Sequence, residues 1–348
     1  MDSLTQIVLG GAIGELVAGK KMGNKAVLWG ALAGTIPDLD VFLRGFYHPI
    51  EAALVHRGFS HSILFALLAG PLLGWLFNRI TKDKFGLKTW IMLFFWGIIT
   101  HPMLDIFTNY GTQFFWPFDA RITFNSVFVI DPLYTVPFMV LLIWAMRLTK
   151  ESKKRRRLNR IGLIYSTSYL LLGLLIKWFV WNDVQYYVKK HHLKVDRILV
   201  TPMPFTCFYW YVLGENKREF IVMHRSIFNS SITDEPHLIN RGTIRIDNLA
   251  WKGRNQNANL HKVTNDYCLI QADNQQLTAY DLRFGFLSKF TREKVNVPLL
   301  GYNFYTSQNQ IIRTTMVRQA QWDKVDFGYY TQCVFGISAQ SNEPVLNK

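Results

Sequence analysis

The segment His56-Arg57-Gly58-Phe59-Ser60-His61-Ser62 runs directly into the apolar stretch Ile63–Phe77. Two histidines five residues apart, flanking a glycine at the mouth of an apolar helix, read as half of a metal site at a membrane surface. Neutral imidazole suits zinc and other borderline metals, and carboxylates complete mixed sites. Two further fragments offer such carboxylates, Pro37-Asp38-Leu39-Asp40 and His101-Pro102-Met103-Leu104-Asp105. Whether they reach His56 and His61 depends on how the chain crosses the membrane.

Outward from that segment the chain divides in two. Up to about Trp181 long apolar segments alternate with short basic ones, and beyond it the sequence turns polar, as in Asn255-Gln256-Asn257-Ala258-Asn259. The expectation is an all-α multi-pass membrane domain over 1–182 and a mostly β soluble domain over 183–348. Six spans are expected, at Leu4–Gly19, Ala26–Leu43, Ser62–Asn78, Trp90–Phe107, Val127–Met146 and Gly162–Trp181. Several fall short of the roughly 20 apolar residues a straight crossing needs. The first, glycine-rich and carrying Glu15, reads as a helix buried among others. Strand-like runs in the polar half are Arg197–Val200, Phe208–Val212, Phe220–Met223, Tyr267–Gln271 and Tyr329–Ile337, separated by turns such as Leu213-Gly214-Glu215-Asn216.

The formal charge of +15 invites a nucleic-acid reading, but its distribution speaks against one. The connections after spans one, three and five hold 15 Lys and Arg, whereas the opposite connections hold Arg44, Arg57 and Arg121 alone. The positive-inside rule makes the basic loops cytoplasmic. The loops 44–61 and 108–126, and the polar C-terminal domain, then face outward. The three cysteines show no CxxC spacing, so a zinc ribbon is unsupported.

This topology brings Asp38, Asp40, His56, His61, His101 and Asp105 to one membrane face at one depth. His101 and Asp105, spaced i, i+4, share a helix face. They read either as a ligand pair or as a hydrogen bond tying helices together, and ionisable groups near a span favour the first. In extended geometry Asp38 and Asp40 point to the same side. Gly58 supplies the tight turn that brings both imidazoles inward. Arg57 is expected to steady an anionic group of the substrate, Ser60 and Ser62 to cap the third span, and Asp38 or Asp105 to act as general base.

Met1-Asp2-Ser3-Leu4-Thr5-Gln6, Gly34-Thr35-Ile36-Pro37-Asp38-Leu39-Asp40, the two histidine motifs, Thr108-Asn109-Tyr110-Gly111 and Trp116-Pro117-Phe118 together resemble the YdjM-like proteins. These are bacterial inner-membrane proteins described as membrane-bound, metal-dependent hydrolases. The resemblance covers roughly 1–180 and implies a metal site using Asp38, Asp40, His56, His61, His101 and Asp105. It departs at Gln6, where many relatives carry His, and Asp2 is a candidate to compensate. The expected function is a metal-dependent hydrolase at the outer membrane–water interface. Zinc is the first choice of metal, with manganese or magnesium open, and a phospholipid or other phosphoester is the expected substrate. No nucleic-acid partner is expected. The rival is a non-enzymatic membrane scaffold or metal-binding protein whose outer domain is an interaction module.

Overall fold

A computed structural model of the chain describes residues 1–229, 232, 235–273, 276–286, 290, 297–318 and 325–337. It divides into two compact units. The first comprises 1–46, 55–175 and 204–206, and the second comprises 47–54, 176–203 and 207–348.

The first unit is helical. Helices α1 (Ser3–Met22) and α2 (Asn24–Thr35) pack along a glycine stripe. A Cβ added at Gly14 would lie 2.1 Å from the Ala26 carbonyl oxygen, and one at Gly30 would lie 2.3 Å from that of Gly10. The two backbones therefore touch, as small-residue interfaces in membranes allow. Helix α2 continues as a 3-10 helix over Ile36–Phe46, and a second short 3-10 turn covers Phe59–His61. The remaining helices are α3 (Pro49–Val55, seven residues), α4 (Ile63–Ile80), α5 (Leu87–Asp105), α6 (Pro132–Met146) and α7 (Lys153–Lys190, 38 residues). Ser62 caps α4 by accepting from the Phe65 amide at 3.0 Å. Gly97 of α5 packs on Ala33 of α2, and Trp90, Leu93, Phe94 and Ile98 form the apolar centre of this side of the bundle.

Among the described residues four helices are long and apolar enough to cross a membrane: Asn24–Phe46, Ile63–Ile80, Leu87–Asp105 and Lys153–Lys190. The fifteen-residue α6 is apolar but shorter. Helix α1 falls outside this group and is buried along much of its length, at Val8, Gly10, Ala12, Gly14 and Glu15 among others.

The second unit carries two four-stranded antiparallel meanders. The first is β1 (Arg197–Pro202), β2 (Tyr209–Glu215), β3 (Glu219–Ser226) and β4 (His237–Asn240). The second is β5 (Cys268–Asp273), β6 (Gln276–Asp281), β7 (Leu300–Ser307) and β8 (Gln310–Arg318). Every residue of β2 is buried, which explains its unbroken apolar and aromatic run. Between the sheets lies α8 (Asn257–Thr264) in the chain, and α9 (Phe327–Val334) follows β8. Four of the expected strand runs fall on β1, β2, β3 and β5. The fifth, Tyr329–Ile337, is helical instead. Asp326 caps the start of α9 by accepting from the Tyr329 amide at 2.9 Å. Tyr330 and Val334, four apart, are its buried residues, so the apolar residues of this run follow a helical period and not that of a strand.

Candidate metal centre

Three donor atoms lie together in the first unit: Oδ1 of Asp38, Nε2 of His61 and Nε2 of His101, all within 4.8 Å of one another. Asp38 Oδ1 is 3.3 Å from His61 Nε2 and 3.4 Å from His101 Nε2. Zinc at about 2.0–2.1 Å from each donor would set tetrahedral neighbours about 3.3–3.4 Å apart. Asp105 Oδ2 lies 3.7 Å from His61 Nε2 and 3.8 Å from His101 Nε2. His61 Nε2, His101 Nε2 and Asp105 Oδ2 are buried and make no hydrogen bond. Buried polar atoms are almost always bonded, so three orphans turned toward one another fit a bound cation.

The tautomers agree with that fit. His101 Nδ1 is 2.6 Å from the Gly34 carbonyl oxygen, which can only accept, so Nδ1 carries the proton and Nε2 the lone pair. Ser60 Oγ donates to Asp40 Oδ2 at 2.6 Å, so the Ser60 hydroxyl has no second proton to give. His61 Nδ1, 2.9 Å from that oxygen, must then donate to it. In the neutral ring its Nε2 then holds the lone pair as well. An outer partner that fixes the ring and its tautomer is the usual support of a metal-binding histidine. The glycine contacts of α1 and α2 thus reach the site, because they set the position of Gly34.

The 3-10 stretch separates the two aspartates. At three residues per turn, positions i and i+2 point about 120° apart, unlike the extended geometry expected from the sequence. Asp38 meets the imidazoles. Asp40 accepts from His56 Nδ1 at 2.6 Å, Ser60 Oγ at 2.6 Å and the Arg57 amide at 3.2 Å. Asp40 and His56 therefore stand beside the donor set, with the His56 ring 5.5 Å from that of His61.

The turn residue also differs from expectation. Arg57, with φ 66°, takes the left-handed conformation, and Gly58 has φ −90°. Such a conformation costs a non-glycine residue about 1–3 kcal/mol. The bonds from the Arg57 amide to Asp40 and from the Gln113 amide to the Arg57 carbonyl hold it. The Arg57 side chain is buried, its Nε 3.2 Å from Asp105 Oδ2 and its NH1 donating to Thr108 Oγ1 at 3.1 Å. Its guanidinium carbon lies 4.9 Å from the centre of the Tyr110 ring. Asp105 Oδ1 also accepts from Gln6 Nε2 at 3.0 Å and pairs with the Met1 amino group. Asp2 caps α1 through the Thr5 amide.

Burial works against a charged imidazole at His61, but Asp38 and Asp40 outweigh it and raise the pKa above the usual value. At His56 burial prevails over Asp40, and the pKa falls. The carboxylates around His61 thus favour positive charge at that point, whether from a proton or a metal.

Sequence reasoning missed the Gly34 carbonyl, for which no side-chain signal exists, and the roles of Ser60, Thr108 and Gln6 as supports of Asp40, Arg57 and Asp105. It also gave Asn109 no role of its own. This residue is 4% exposed, and neither its Nδ2 nor its Oδ1 makes a hydrogen bond.

Residues 1–182 match the sequence profile of the YdjM inner membrane protein family. A curated relative, the uncharacterized protein YfhP of Bacillus subtilis (strain 168), is 30% identical over 156 residues. That match covers 41% of this chain and 46% of the relative, so the chain spans less than half of the relative's length. No solved structure matches the chain.

Proposed function

The chain belongs to the YdjM inner membrane protein family, and from that premise we propose that it is a membrane-bound, metal-dependent hydrolase acting at the outer membrane–water interface. One observation carries the reading. The side chains of His61, His101 and Asp105 are at most 1% exposed, whereas that of Asp38 is 30% exposed. A structural metal site is closed on all sides, and a catalytic one keeps a position for water or substrate. The same opening weighs against the scaffold reading.

A divalent metal held there, zinc first, with manganese or magnesium as the other choices, would lower the pKa of a bound water and polarise a phosphoryl or acyl oxygen. The chain's own residues divide the remaining work. Asp38, His61 and His101 hold the metal, the two imidazoles oriented by the partners behind them and Asp105 Oδ2 next to both. Arg57 holds Asp105 in place through the 3.2 Å contact of its Nε with Oδ2, and its expected contact with a substrate anion would be a second task. Asp38, at the open side, is the better placed of the two candidate bases, because the carboxylate oxygen not given to the metal can take a proton from an attacking water. Asp40 and His56 support His61 and the turn around it.

The substrate assigned is a phospholipid or another lipid-linked phosphoester. Leu39, Phe42 and Phe46, on the same 3-10 helix as Asp38, are exposed, as is Phe59 beside His61. Exposed apolar side chains next to polar ligands suit the boundary between headgroups and acyl chains. The family and the apolar helices support an inner-membrane location, and six spans with the C-terminal domain outside complete the proposal.

The deciding experiment measures metal in protein purified without chelators, followed by hydrolysis of a panel of phosphodiesters and lipids. Wild type should hold metal and cleave at least one lipid phosphoester, and His61→Ala should do neither. Metal-free wild type would sink the hydrolase reading. A C-terminal reporter active in the cytoplasm would sink the outer-face reading.

A further inference from the structure

The chain leaves the first unit after Phe46 and rejoins it at Val55, and the intervening Tyr47–Leu54 belongs to the second unit. This excursion lies between the residues of the proposed site, with Asp38 and Asp40 before it and His56 and His61 after it. Its two ends are fastened by the 2.6 Å contact of Asp40 with His56. Its tip is fastened separately. Ile50 is fully buried and belongs to one apolar core with Ile246, Leu260, Ile270, Tyr302 and Phe304. Glu51 meets Arg254 NH1 at 2.9 Å and accepts from Gln256 Nε2 at 3.2 Å. The His48 ring stands edge-on to Trp251, with centres 5.8 Å apart.

A seven-residue helix does not hold its shape alone in water, because nucleation is costly and little is gained per turn. Helix α3 is therefore ordered by the core that takes Ile50. With the tip free, the contacts of Asp40 with His56, Arg57 and Ser60 alone would set the spacing of the two arms, and binding a metal would have to remove the freedom left to them. Held at the tip, the two arms stand at a set spacing beforehand.

We propose that Ile50 and Glu51 are positioning residues for the metal site, and that the C-terminal unit serves that site by holding the excursion 47–54 in its own core. This rests on the reading of Asp38, His61 and His101 as metal ligands, and it assigns the C-terminal unit a task that the catalytic reading leaves open. Coupling of this kind is reciprocal. Metal at the site must steady the core around Ile50, and loosening Ile50 must weaken metal binding.

The test uses the full chain in detergent micelles. Zinc affinity is measured for wild type, Ile50→Ala and Ile50→Val, and hydrogen exchange is followed with and without zinc. Ile50→Ala should weaken zinc binding about tenfold or more, the scale of losing an outer support of a metal site, and Ile50→Val should restore most of it. Zinc should slow exchange in β7, which carries Tyr302 and Phe304 and no proposed ligand, in wild type but not in Ile50→Ala. Unchanged zinc affinity in Ile50→Ala, or zinc protection over 36–61 with none in β7, would overturn the proposal. Should Ile50→Ala lose the fold of the second unit, Glu51→Ala keeps the apolar core intact and should weaken zinc binding by a smaller factor. Wild type that takes up no zinc, manganese or magnesium would instead defeat the metal reading. The positioning role is then read in metal-free protein, where Ile50→Ala should speed exchange over Val55–His61, and an unchanged rate there rejects it.

Discussion

Two buried polar clusters in the first unit invite comparison. Around Glu15 the charge is closed by the protein itself. Arg155 donates Nε and NH2 to the two Glu15 oxygens at 2.8 and 2.6 Å, and NH1 to Asn24 Oδ1 and the Leu148 carbonyl at 2.7 and 2.9 Å. Around Asp38 the charge is left open. Asp105 pairs with the Arg57 guanidinium and the Met1 amine, Asp38 and Asp40 face imidazoles, and the Nε2 atoms of His61 and His101 make no hydrogen bond. A buried carboxylate needs a cation or a proton. The first cluster contains its cation, and the second is shaped to accept one from outside.

The comparison breaks most easily at a ligand. His101→Ala should reduce bound metal from near stoichiometric to almost none, measured by elemental analysis of the purified protein. If metal content survives, the two clusters do not differ in the way described. Next in size is Glu15→Ala, which strands a buried guanidinium and should cost about 3–5 kcal/mol of stability, read by thermal unfolding in detergent. Replacing the pair together, Glu15→Met with Arg155→Met, should recover most of the loss. Metal content should remain unchanged in both, since this cluster needs no ion. A smaller effect is expected for Asp40→Asn, which turns one of the two acceptor oxygens that serve Ser60 and His56 into a donor. Metal affinity should fall about 10–100-fold in titrations with a competing chelator, without loss of fold.

The smallest effect belongs to the surface counterpart of His61 in the second unit. His261 stands between Asp266 and Asp247, at 2.5 and 3.1 Å. Partial burial opposes its charge, but the two aspartates prevail and raise its pKa above the usual 6.5. Its stabilising contribution is complete below about pH 6.5 and fades as the pH rises through the raised value. Because the ring is 36% exposed, solvent screening keeps this well under about 1 kcal/mol. A slight fall in thermal midpoint from pH 6 to 8, absent in His261→Gln, would be the sign.

Asp38, His61, His101 and Asp105, which hydropathy and loop charge led one to expect together, do stand close to one another in the structure. Both quantities are properties of whole segments, and the membrane acts on whole segments. They could not divide labour among neighbours. Asp38 and Asp40 separate because the backbone there is a 3-10 helix, and His101 is fixed by a carbonyl 67 residues earlier in the chain. Arg57 takes the left-handed turn beside an available glycine because Asp40 and Gln113 bond its backbone. Ile50 gave no sign of its role, since one apolar residue in a polar connection has no periodicity to read. Tyr329–Ile337 misled because a short apolar run fits strand and helix alike until its cap is recognised.

Helix α7 also acts as a depth gauge. At about 1.5 Å per residue its 38 residues extend about 57 Å, nearly twice the roughly 30 Å hydrocarbon thickness of a bilayer. Its basic run ends at Arg160, and exposed Trp178 and Trp181 follow after an apolar interval. From Arg160 to Trp181 the helix rises about 31 Å, so a charged collar and an indole collar stand one membrane apart on a single rod. Residues inserted or deleted between them would change that calibration, at a fraction of a kcal/mol for each ångström of mismatch.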